Sequence, residues 1–290
     1  MQRIRFLFLI LALSITCASQ RSFAQQATLP LTLPNEKVSV KFVSIGDTGT
    51  GGSPQIELAK VMLDHHNVSP FEFVIMAGDN VYGSEKPKDM KRKFEDVYRP
   101  LLDRGVKFYA ALGNHDDGDQ RFYPLFNMGG KEYYRFQKSG ASFYALNSND
   151  LDKRQTEWIE KELAQDDSKW KIAFFHHPPY SSGGRHGSSE RVRKALEPIF
   201  IRYGVDVVFS GHDHIYERIK PQNGIQYFVT GAGGKLRRGN VEKGSELTQR
   251  AFDDDLSFLM LEITDGLMHF QAISRTGQTV DSGSITRRDP

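Results

Sequence analysis

The sequence predicts a single α/β domain in which the first strands form a largely parallel sheet and the last strands an antiparallel addition. Runs rich in β-branched and aromatic residues alternate with helical patterns through most of the chain, and the closing segment contains strands alone. Strand–helix–strand alternation is typical of parallel sheets. No internal repeat, low-complexity tract or Pro/Gly-rich linker divides the chain, which favours one domain.

The predicted elements follow in order from these patterns. A short apolar run predicts a strand, and apolar residues spaced at 3.6 predict a helix. The helical patterns cover residues 54–66, 87–104, 153–164 and 188–202. The strand patterns cover residues 38–45, 71–77, 106–112, 142–146, 170–175, 205–209, 226–229, 256–263 and 268–274.

The first 24 residues have the composition of a secretory signal peptide. A basic start is followed by an apolar run over residues 6–18 and by the small-x-small sequence Ser22-Phe23-Ala24. The run is shorter than the roughly 20 residues that span a bilayer. We therefore predict export to the periplasm or the medium with cleavage after Ala24, no membrane attachment afterwards, a polar lead-in over residues 25–37 and one domain over residues 38–290.

Cleavage changes both the charge and the cysteine content. The whole chain has 38 basic and 36 acidic residues, and the segment that is removed carries three arginines and no acid, so the formal charge falls from +2 to −1. A nucleic-acid partner therefore loses its electrostatic support. The single cysteine, Cys17, is removed as well. Any metal site in the mature protein must be built from oxygen and nitrogen ligands.

Five short polar motifs each lie just after a predicted strand. In open α/β sheets, ligands bind at the carboxyl ends of the strands, and a glycine before the ligand lets the backbone turn sharply. We therefore expect the five loops to converge. The motifs are Gly46-Asp47-Thr48-Gly49, Gly78-Asp79-Asn80-Val81-Tyr82, Gly113-Asn114-His115-Asp116, His176-His177-Pro178 and Gly211-His212-Asp213-His214.

Each motif alone has a simpler structural explanation. Asp47 and Asp79 are suited to capping helices, Tyr82 to packing in the core and Asn114 to a turn. Together, however, they supply the carboxylate, phenol, amide and imidazole groups that bind hard and borderline cations. The five motifs in this order therefore predict a binuclear metal site that hydrolyses phosphate esters.

The same motifs carry a resemblance to a known family. Asp47, Gly78-Asp79-x-x-Tyr82, Gly113-Asn114-His115, His176 and Gly211-His212-x-His214 resemble the metallophosphoesterases, and specifically the purple acid phosphatases. The wider superfamily opens with Asp-x-His, whereas this chain has Gly49 in place of that histidine and adds Tyr82. The resemblance runs from about residue 38 to residue 274. It is to the small form, because the segment between residues 24 and 38 cannot hold the extra β domain of the larger plant enzymes.

The resemblance implies a ligand set for two ions. Fe(III) would be bound by Asp47, Asp79, Tyr82 and His214. Asp79 would bridge to a divalent iron, zinc or manganese ion bound by Asn114, His176 and His212. The chemistry agrees, since hard anionic ligands favour a trivalent ion, whereas an amide and imidazoles suit a divalent one. Chemistry alone leaves His176 and His177 open as ligands, and the resemblance selects His176.

The resemblance also implies the fold and the reaction. The fold would be a four-layer α-β-β-α sandwich, with two mixed sheets flanked by helices. The protein would be an acid phosphatase that takes small-molecule phosphomonoesters, with a metal-bound hydroxide attacking in line. His115 and His186 would protonate the departing alcohol. The oligomeric state is not predicted.

Two other functions fit the same residues. A phosphodiesterase would use the same metals, and an exported metal- or phosphate-binding protein would use the same ligands without turnover. Lys235, Arg237 and Arg238 form a basic cluster that either attracts a phosphate or lies in a solvated loop. The remaining histidines, His65, His66 and His269, are interpreted as surface or packing residues.

Overall fold

Two mixed β-sheets form the centre of the part of the chain that the computed structural model describes, residues 31–264 and 266–288. The first sheet contains β1 (Val40–Ile45), β2 (Phe73–Met76), β3 (Lys107–Ala110), β11 (Ser257–Ile263), β12 (Leu267–Ser274) and β13 (Thr279–Thr286), in the order β13-β12-β11-β1-β2-β3. The second contains β4 (Tyr134–Lys138), β5 (Ala141–Ala145), β6 (Trp170–Phe174), β7 (Val207–Ser210), β8 (Tyr216–Ile219), β9 (Gln226–Thr230) and β10 (Thr248–Phe252), in the order β10-β8-β9-β7-β6-β5-β4.

The strand directions agree with the sequence pattern. In the first sheet β1, β2 and β3 run parallel, and β11, β12 and β13 continue it antiparallel. In the second sheet β5, β6, β7 and β9 run parallel; β4 pairs antiparallel with β5 at one end, and at the other end β8 pairs antiparallel with both β9 and the edge strand β10. The predicted parallel beginning and antiparallel end are therefore confirmed.

Helices cover the outer faces of both sheets. The first sheet carries α1 (Ser53–Val68) and a second helical stretch made of α2 (Pro87–Met90), a π-helical turn (Lys91–Glu95) and α3 (Asp96–Leu102). The second sheet carries α4 (Lys153–Ala164) and α5 (Glu190–Tyr203). The Asp152 side chain caps α4 by accepting a hydrogen bond from Gln155 N, and Ser189 caps α5 in the same way. Two short 3₁₀ turns (Gly118–Phe122 and Pro124–Phe126) follow β3.

An aromatic core lies between the sheets. Phe42 of β1 stacks on Phe73 of β2 at 5.3 Å and meets Phe143 of β5 edge-on at 5.2 Å. Phe228 of β9 meets Phe270 of β12 at 5.3 Å. Such pairs contribute about 0.5–1.5 kcal/mol each beyond the area that they bury. A second apolar cluster lies between the second sheet and helices α4 and α5. The predicted four-layer α-β-β-α sandwich is thus confirmed.

Four strands were not predicted from the sequence: β4, β8, β10 and β13. β8, β10 and β13 have polar residues where alternation would require apolar ones, whereas β4 alternates over only four residues, 134–137. The edge strand β13, for example, reads Thr-Val-Asp-Ser-Gly-Ser-Ile-Thr. Pairing with neighbouring strands forms them rather than their own pattern.

The described end of the predicted lead-in packs on the first sheet. Leu33 is buried, and the backbone N–H groups of Asn35 and Glu36 donate to the carboxylate of Glu262 on β11 at 2.7 and 2.6 Å. The predicted signal peptide, residues 1–24, lies outside the described residues, so the domain boundaries stay predictions. Within the described part of the chain, no helix is both long enough and apolar enough to cross a bilayer.

Candidate metal centre

The five polar motifs follow the carboxyl ends of parallel strands that belong to both sheets. Asp47, Asp79 and Asn114 come after β1, β2 and β3, and His176 and His212 come after β6 and β7. Because the sheets pack face to face, the two sets of loops meet above the aromatic core. The structure brings all seven predicted ligand residues together there, in two contact groups.

The first contact group, called here the Tyr82 group, contains Asp47, Tyr82 and His214. The Tyr82 hydroxyl donates to Asp47 Oδ1 at 2.9 Å and lies 3.3 Å from His214 Nε2. His214 Nε2 is itself 3.3 Å from Asp47 Oδ1. The carboxylate of Asp47, the hydroxyl of Tyr82 and the imidazole of His214 therefore converge.

The second contact group, called here the His176 group, contains Asn114, His176 and His212. His176 Nε2 lies 3.0 Å from Asn114 Oδ1 and 3.1 Å from His212 Nδ1. The other ring nitrogen of His176, Nδ1, donates to the carbonyl oxygen of Ala77 at 2.9 Å. This bond fixes the tautomer and leaves the Nε2 lone pair facing the group, as is usual for a metal-binding histidine.

Asp79 lies between the two groups. Its Oδ1 is 3.4 Å from His176 Nε2, and its carboxylate lies close enough to the Tyr82 hydroxyl to help raise the pKa of that group. The ligand atoms of Asp47, Asp79 and His176 all lie within 4.8 Å of one another. Asp79 is thus in contact with members of both groups.

The backbone is strained at three of the seven positions. Asp47, Asp79 and His212 have φ values of 55°, 51° and 69°, in the left-handed region that non-glycine residues rarely adopt. Strain of this kind concentrates at functional sites, where the surrounding structure imposes it. Gly113 has no room for a side chain, since a Cβ there would lie 2.2 Å from Asp79 N.

Asp116 ties the second and third motifs together. Its carboxylate accepts hydrogen bonds from the backbone N–H groups of Asn80, Val81 and Gly113 at 2.8, 3.2 and 2.8 Å. Burial raises the pKa of Asp116 to about 7, although these backbone bonds oppose the rise. This carboxylate therefore fixes the two ligand loops that follow β2 and β3 relative to each other.

Burial sets the charge of the candidate ligands. It raises the pKa of Asp47 to about 8, a rise that the charge of His176 opposes and the charge of Asp79 supports. It raises the pKa of Tyr82 as well, with the charges of Asp47 and Asp79 adding to the effect. It lowers the pKa of His212 to about 2 and that of His214 to about 4. The imidazoles of His212 and His214 are therefore neutral, which is the form that binds metals.

These residues fit two metal ions. Two buried carboxylates, a phenol, an amide and three imidazoles converge, and a cation between them would compensate the burial of the carboxylates. The Tyr82 group with Asp79 is rich in hard oxygen donors, whereas the His176 group offers an amide and imidazoles. The donor set thus differs between the two halves of the centre.

The two predicted proton donors lie on different sides of this centre. The His115 ring is 5.1 Å from the ring of Tyr82, and its backbone N–H donates to Asp79 Oδ1 at 2.9 Å. The His186 ring lies 4.0 Å from the ring of His212. Both histidines are exposed, so both reach solvent.

His177 lies outside the two contact groups. Its Nδ1 is 2.9 Å from Ser148 Oγ, and its ring is 4.5 Å from the ring of His212. Burial and the charge of His176 lower its pKa to about 4. It is a neighbour of the centre.

Asp213, whose role was not predicted from the sequence, anchors the loop of His186. Asp213 is fully buried, and its Oδ2 accepts from Ser181 Oγ at 2.7 Å and from Gly187 N at 3.0 Å. Its Oδ1 accepts from His186 N at 3.3 Å. The available signal was its place between two ligand histidines, His212 and His214.

Comparison with known proteins agrees with this geometry. Residues 40–216 match the family model of calcineurin-like phosphoesterases. The tartrate-resistant acid phosphatase type 5 of the rabbit, Oryctolagus cuniculus, is 24% identical over 299 residues, which cover 86% of this chain and 92% of the rabbit protein. Purple acid phosphatases of Arabidopsis thaliana are also among the relatives. The predicted resemblance is confirmed, and the relatives support the predicted class of phosphoric monoester hydrolases.

Solved structures show the same fold. The purple acid phosphatase PPD1 of yellow lupin, Lupinus luteus, superposes with a TM-score of 0.73 at 21% identity, over 88% of this chain and 55% of the lupin chain. GAP50, described as the anchor in the inner membrane complex of Plasmodium, superposes with a TM-score of 0.77 at 20% identity, over 87% of this chain and 90% of that one. At these identities the likeness extends to the fold alone.

Proposed function

Because this chain belongs to the calcineurin-like phosphoesterase family, we propose that it is an exported acid phosphatase which hydrolyses phosphomonoesters at a centre of two metal ions. The observation that carries the proposal is the contact of Asp79 with both the Tyr82 group and the His176 group. A carboxylate in that position compensates the charge of two cations at once.

The proposal assigns each group to one ion. Asp79 completes both ligand sets, with the Tyr82 group holding Fe(III) and the His176 group holding divalent iron, zinc or manganese. The hard oxygen donors of the Tyr82 group support this order. When bound, the two ions supply Lewis-acid polarisation of the phosphoryl oxygens and activation of water.

The protein's own residues supply orientation and protons. The bond from His176 Nδ1 to Ala77 O and the clamp of Asp116 on the ligand loops hold the donor atoms in place. His186, beside His212, and His115, beside Tyr82, are proposed to donate protons or hydrogen bonds to the departing alcohol oxygen.

Export is proposed from the composition of residues 1–24. The protein recovered from its native source should begin at Gln25, which mass spectrometry of the intact chain measures. A mature chain that retains residues 1–24 would contradict this part of the proposal.

The test of function compares two substrates, para-nitrophenyl phosphate and bis(para-nitrophenyl) phosphate, with the metal-loaded protein. We expect preferred turnover of the monoester. We also expect Asp79→Asn to reduce turnover by more than about 100-fold, since even the outer partners of a metal site are worth 10–100-fold. Asp103→Asn makes the same chemical change on an exposed residue and serves as the control.

The same assay separates the alternatives. Preference for the diester would identify a phosphodiesterase instead. Metal binding without turnover of either ester would identify an exported metal- or phosphate-binding protein.

A further inference from the structure

Of the seven candidate ligands, Tyr82 lies farthest from the strand that precedes it. It is the sixth residue after the end of β2, whereas Asp79 is the third. Asp47 is the second residue after the end of β1. Strand pairing alone therefore does not fix the position of the Tyr82 ring, and other contacts must hold it.

Two hydrogen bonds hold the backbone of Tyr82. Its N–H donates to Gly49 O at 2.9 Å, and its carbonyl oxygen accepts from Lys93 Nζ at 2.6 Å. Lys93 Nζ also donates to Ser84 O at 2.8 Å. Between these two carbonyl groups lies Gly83, whose φ of 73° is in the left-handed region. The ammonium of Lys93 therefore closes the turn of residues 82–84.

Lys93 is a buried cation. It is 5% exposed, and in the described part of the chain it forms no ion pair. Its ammonium donates to the two carbonyl oxygens of the turn. Burial of a charge is costly unless the charge is hydrogen-bonded, and water can satisfy a carbonyl group at the surface instead. A buried ammonium in this place points to a requirement for a fixed turn.

A π-helical turn brings Lys93 to this position. It spans Lys91–Glu95, between α2 and α3. Its buried residues are Lys93 and Phe94, and the Phe94 ring meets the ring of Phe126 edge-on at 4.9 Å. Turns of this kind are rare inside helices and occur frequently at functional sites. The helix is thus irregular at the residue that contacts the turn of Tyr82.

Gln55 of α1 joins Lys93 to the loop that carries Asp47. The Gln55 side chain is buried, and its Nε2 donates to Lys93 O at 3.1 Å. Its Oε1 accepts from the backbone N–H of Gly51, in the loop after β1, at 2.7 Å. Hydrogen bonds through Gln55 and Lys93 therefore connect the loops of Asp47 and Tyr82, two members of the Tyr82 group.

We propose that Lys93 is a positioning residue for the ferric ion of the centre. By fixing the turn of residues 82–84, it keeps the Tyr82 hydroxyl oxygen beside Asp47 Oδ1 and His214 Nε2, at 2.9 and 3.3 Å. The inference rests on the proposed function, because it concerns the group that would hold Fe(III). Lys93 acts through Tyr82 and is not itself a ligand.

The test compares Lys93→Met with Lys41→Met. Lys41 is a second buried lysine, 9% exposed, whose Nζ donates to Asn35 Oδ1 and to Glu36 O at 2.8 Å each. It lies near the start of β1, whereas Asp47 follows the other end of that strand. Both substitutions remove the charge of a buried lysine, and only the first removes it beside the candidate metal centre.

In Lys93→Met we expect the affinity for Fe(III) to fall about 10–100-fold, as when a residue that orients a metal ligand is replaced. The affinity of the His176 group for its divalent ion should change less than about threefold, because Lys93 orients no ligand of that group. The charge-transfer band of phenolate on ferric iron should lose intensity per bound ion and shift. Lys41→Met should change neither affinity nor the band. Metal titrations followed by absorption and elemental analysis measure these quantities.

A second pair of variants strains the turn without removing the lysine. Gly83→Ala adds a Cβ 4.0 Å from Lys93 Nζ, at a positive φ that other residues rarely adopt. Gly105→Ala adds the same strain after α3, at a φ of 82° and with no atom within 4 Å of the new Cβ. We expect Gly83→Ala to weaken Fe(III) binding and alter the band, and Gly105→Ala to do neither. This pair provides the test if Lys93→Met does not fold.

Two results would overturn the proposal. If folded Lys93→Met or Gly83→Ala keeps the parent's affinity for Fe(III) and the parent's band, the turn does not position Tyr82. If Lys41→Met loses as much, or if Lys93→Met weakens both ions equally, Lys93 serves the general stability of the fold.

Failure of the proposed function gives a different result. A parent that takes up no Fe(III), or takes it up without the band, contradicts the assignment of Tyr82 whatever the variants do. Hydrogen exchange in the metal-free protein then tests the turn separately. Amide exchange of residues 82–84 should be about tenfold faster in Lys93→Met than in the parent and unchanged in Lys41→Met. Equal exchange in all three proteins would overturn the role of Lys93.

Discussion

The hydroxyl of Tyr82 donates a hydrogen bond to Oδ1 of Asp47 across 2.9 Å, so two residues proposed to bind the same ion share a proton. Burial favours the protonated form of both side chains, raising the pKa of Asp47 to about 8 and that of Tyr82 above its usual value. A cation that binds here must displace these protons. The relationship links metal uptake to pH.

Metal uptake by protein that has been stripped of metal should release protons. His212 and His214, with pKa values of about 2 and 4, are already neutral above pH 5 and release none there. Asp47 is protonated below about pH 8 and must lose its proton, so its contribution makes affinity rise with pH up to about that value. Calorimetric titration in buffers of different ionisation enthalpy measures the number released.

The proton count also tests Tyr82. Loading with a trivalent ion at pH 6 should release about two protons, one each from Asp47 and Tyr82, and Tyr82→Phe should release about one fewer. An affinity that does not change between pH 5 and pH 8 would contradict the shared proton.

Colour gives an independent test of Tyr82. A phenolate bound to ferric iron absorbs visible light by charge transfer, so the oxidised, iron-loaded protein should be violet to pink. We expect Tyr82→Phe to remove the band and to shift the iron toward the reduced state by removing a hard anionic ligand. In the metal-free protein the same change should cost about 1 kcal/mol of stability through the lost hydrogen bond. Absorption spectra and thermal unfolding measure these effects.

The matched control for colour is Tyr134→Phe, which removes a buried hydroxyl that donates to Ala110 O at 2.8 Å. That variant should keep the band. An oxidised, iron-containing parent without colour would show that Tyr82 does not bind iron.

The ligand loops were predictable from sequence because each lies directly after an apolar strand and carries its own metal-binding residue types. Asp47 after β1 and His176 after β6 needed no knowledge of neighbouring segments. The pattern did not reveal that these strands belong to different sheets, since periodicity reports which faces are buried and not which strands pair. The family resemblance supplied that arrangement.

The supporting residues were not predictable, because their roles arise from contacts between distant segments. Asp213 anchors residues about 30 positions earlier in the chain, and Lys235 reaches the ring of Tyr82. From sequence alone, a charged residue in a loop is expected to be solvated. Only the tertiary structure shows which other residues it contacts. The edge strands β10 and β13 were not predicted either, because they too are formed by pairing with other segments.

Removing the shared carboxylate should affect both ions, and removing a terminal ligand only one. We expect Asp79→Ala to lose both metals, because Asp79 contacts both groups, whereas Asn114→Ala should retain about one ion per chain. Elemental analysis of the purified variants measures this. Asn67→Ala, an exposed change on α1, is the control. Full metal content in Asp79→Ala would overturn the shared role.

His186 should matter most for substrates with poor leaving groups, because an alkyl alkoxide needs a proton as the bond to phosphorus breaks and a nitrophenolate barely does. For His186→Ala we expect kcat/KM to fall about 100-fold with an alkyl phosphate and less than about threefold with para-nitrophenyl phosphate. His66→Ala, on the distant helix α1, should change neither value.

The pH profile follows from the same residue. Partial desolvation lowers the pKa of His186 below its ordinary 6.5, and the charge of Asp213 only partly opposes this. A donor must be protonated to act, so alkyl phosphate turnover should be lost as pH rises through that lowered pKa, which gives an acidic optimum.

Asp213→Asn weakens the hydrogen bonds that anchor the loop of His186. We expect this variant to show the same preference for good leaving groups as His186→Ala, with a smaller fall in kcat/KM for the alkyl phosphate. If His186→Ala slows both substrates equally, or the alkyl optimum is alkaline, His186 is not the acid, and His115, beside Tyr82, becomes the residue to substitute next.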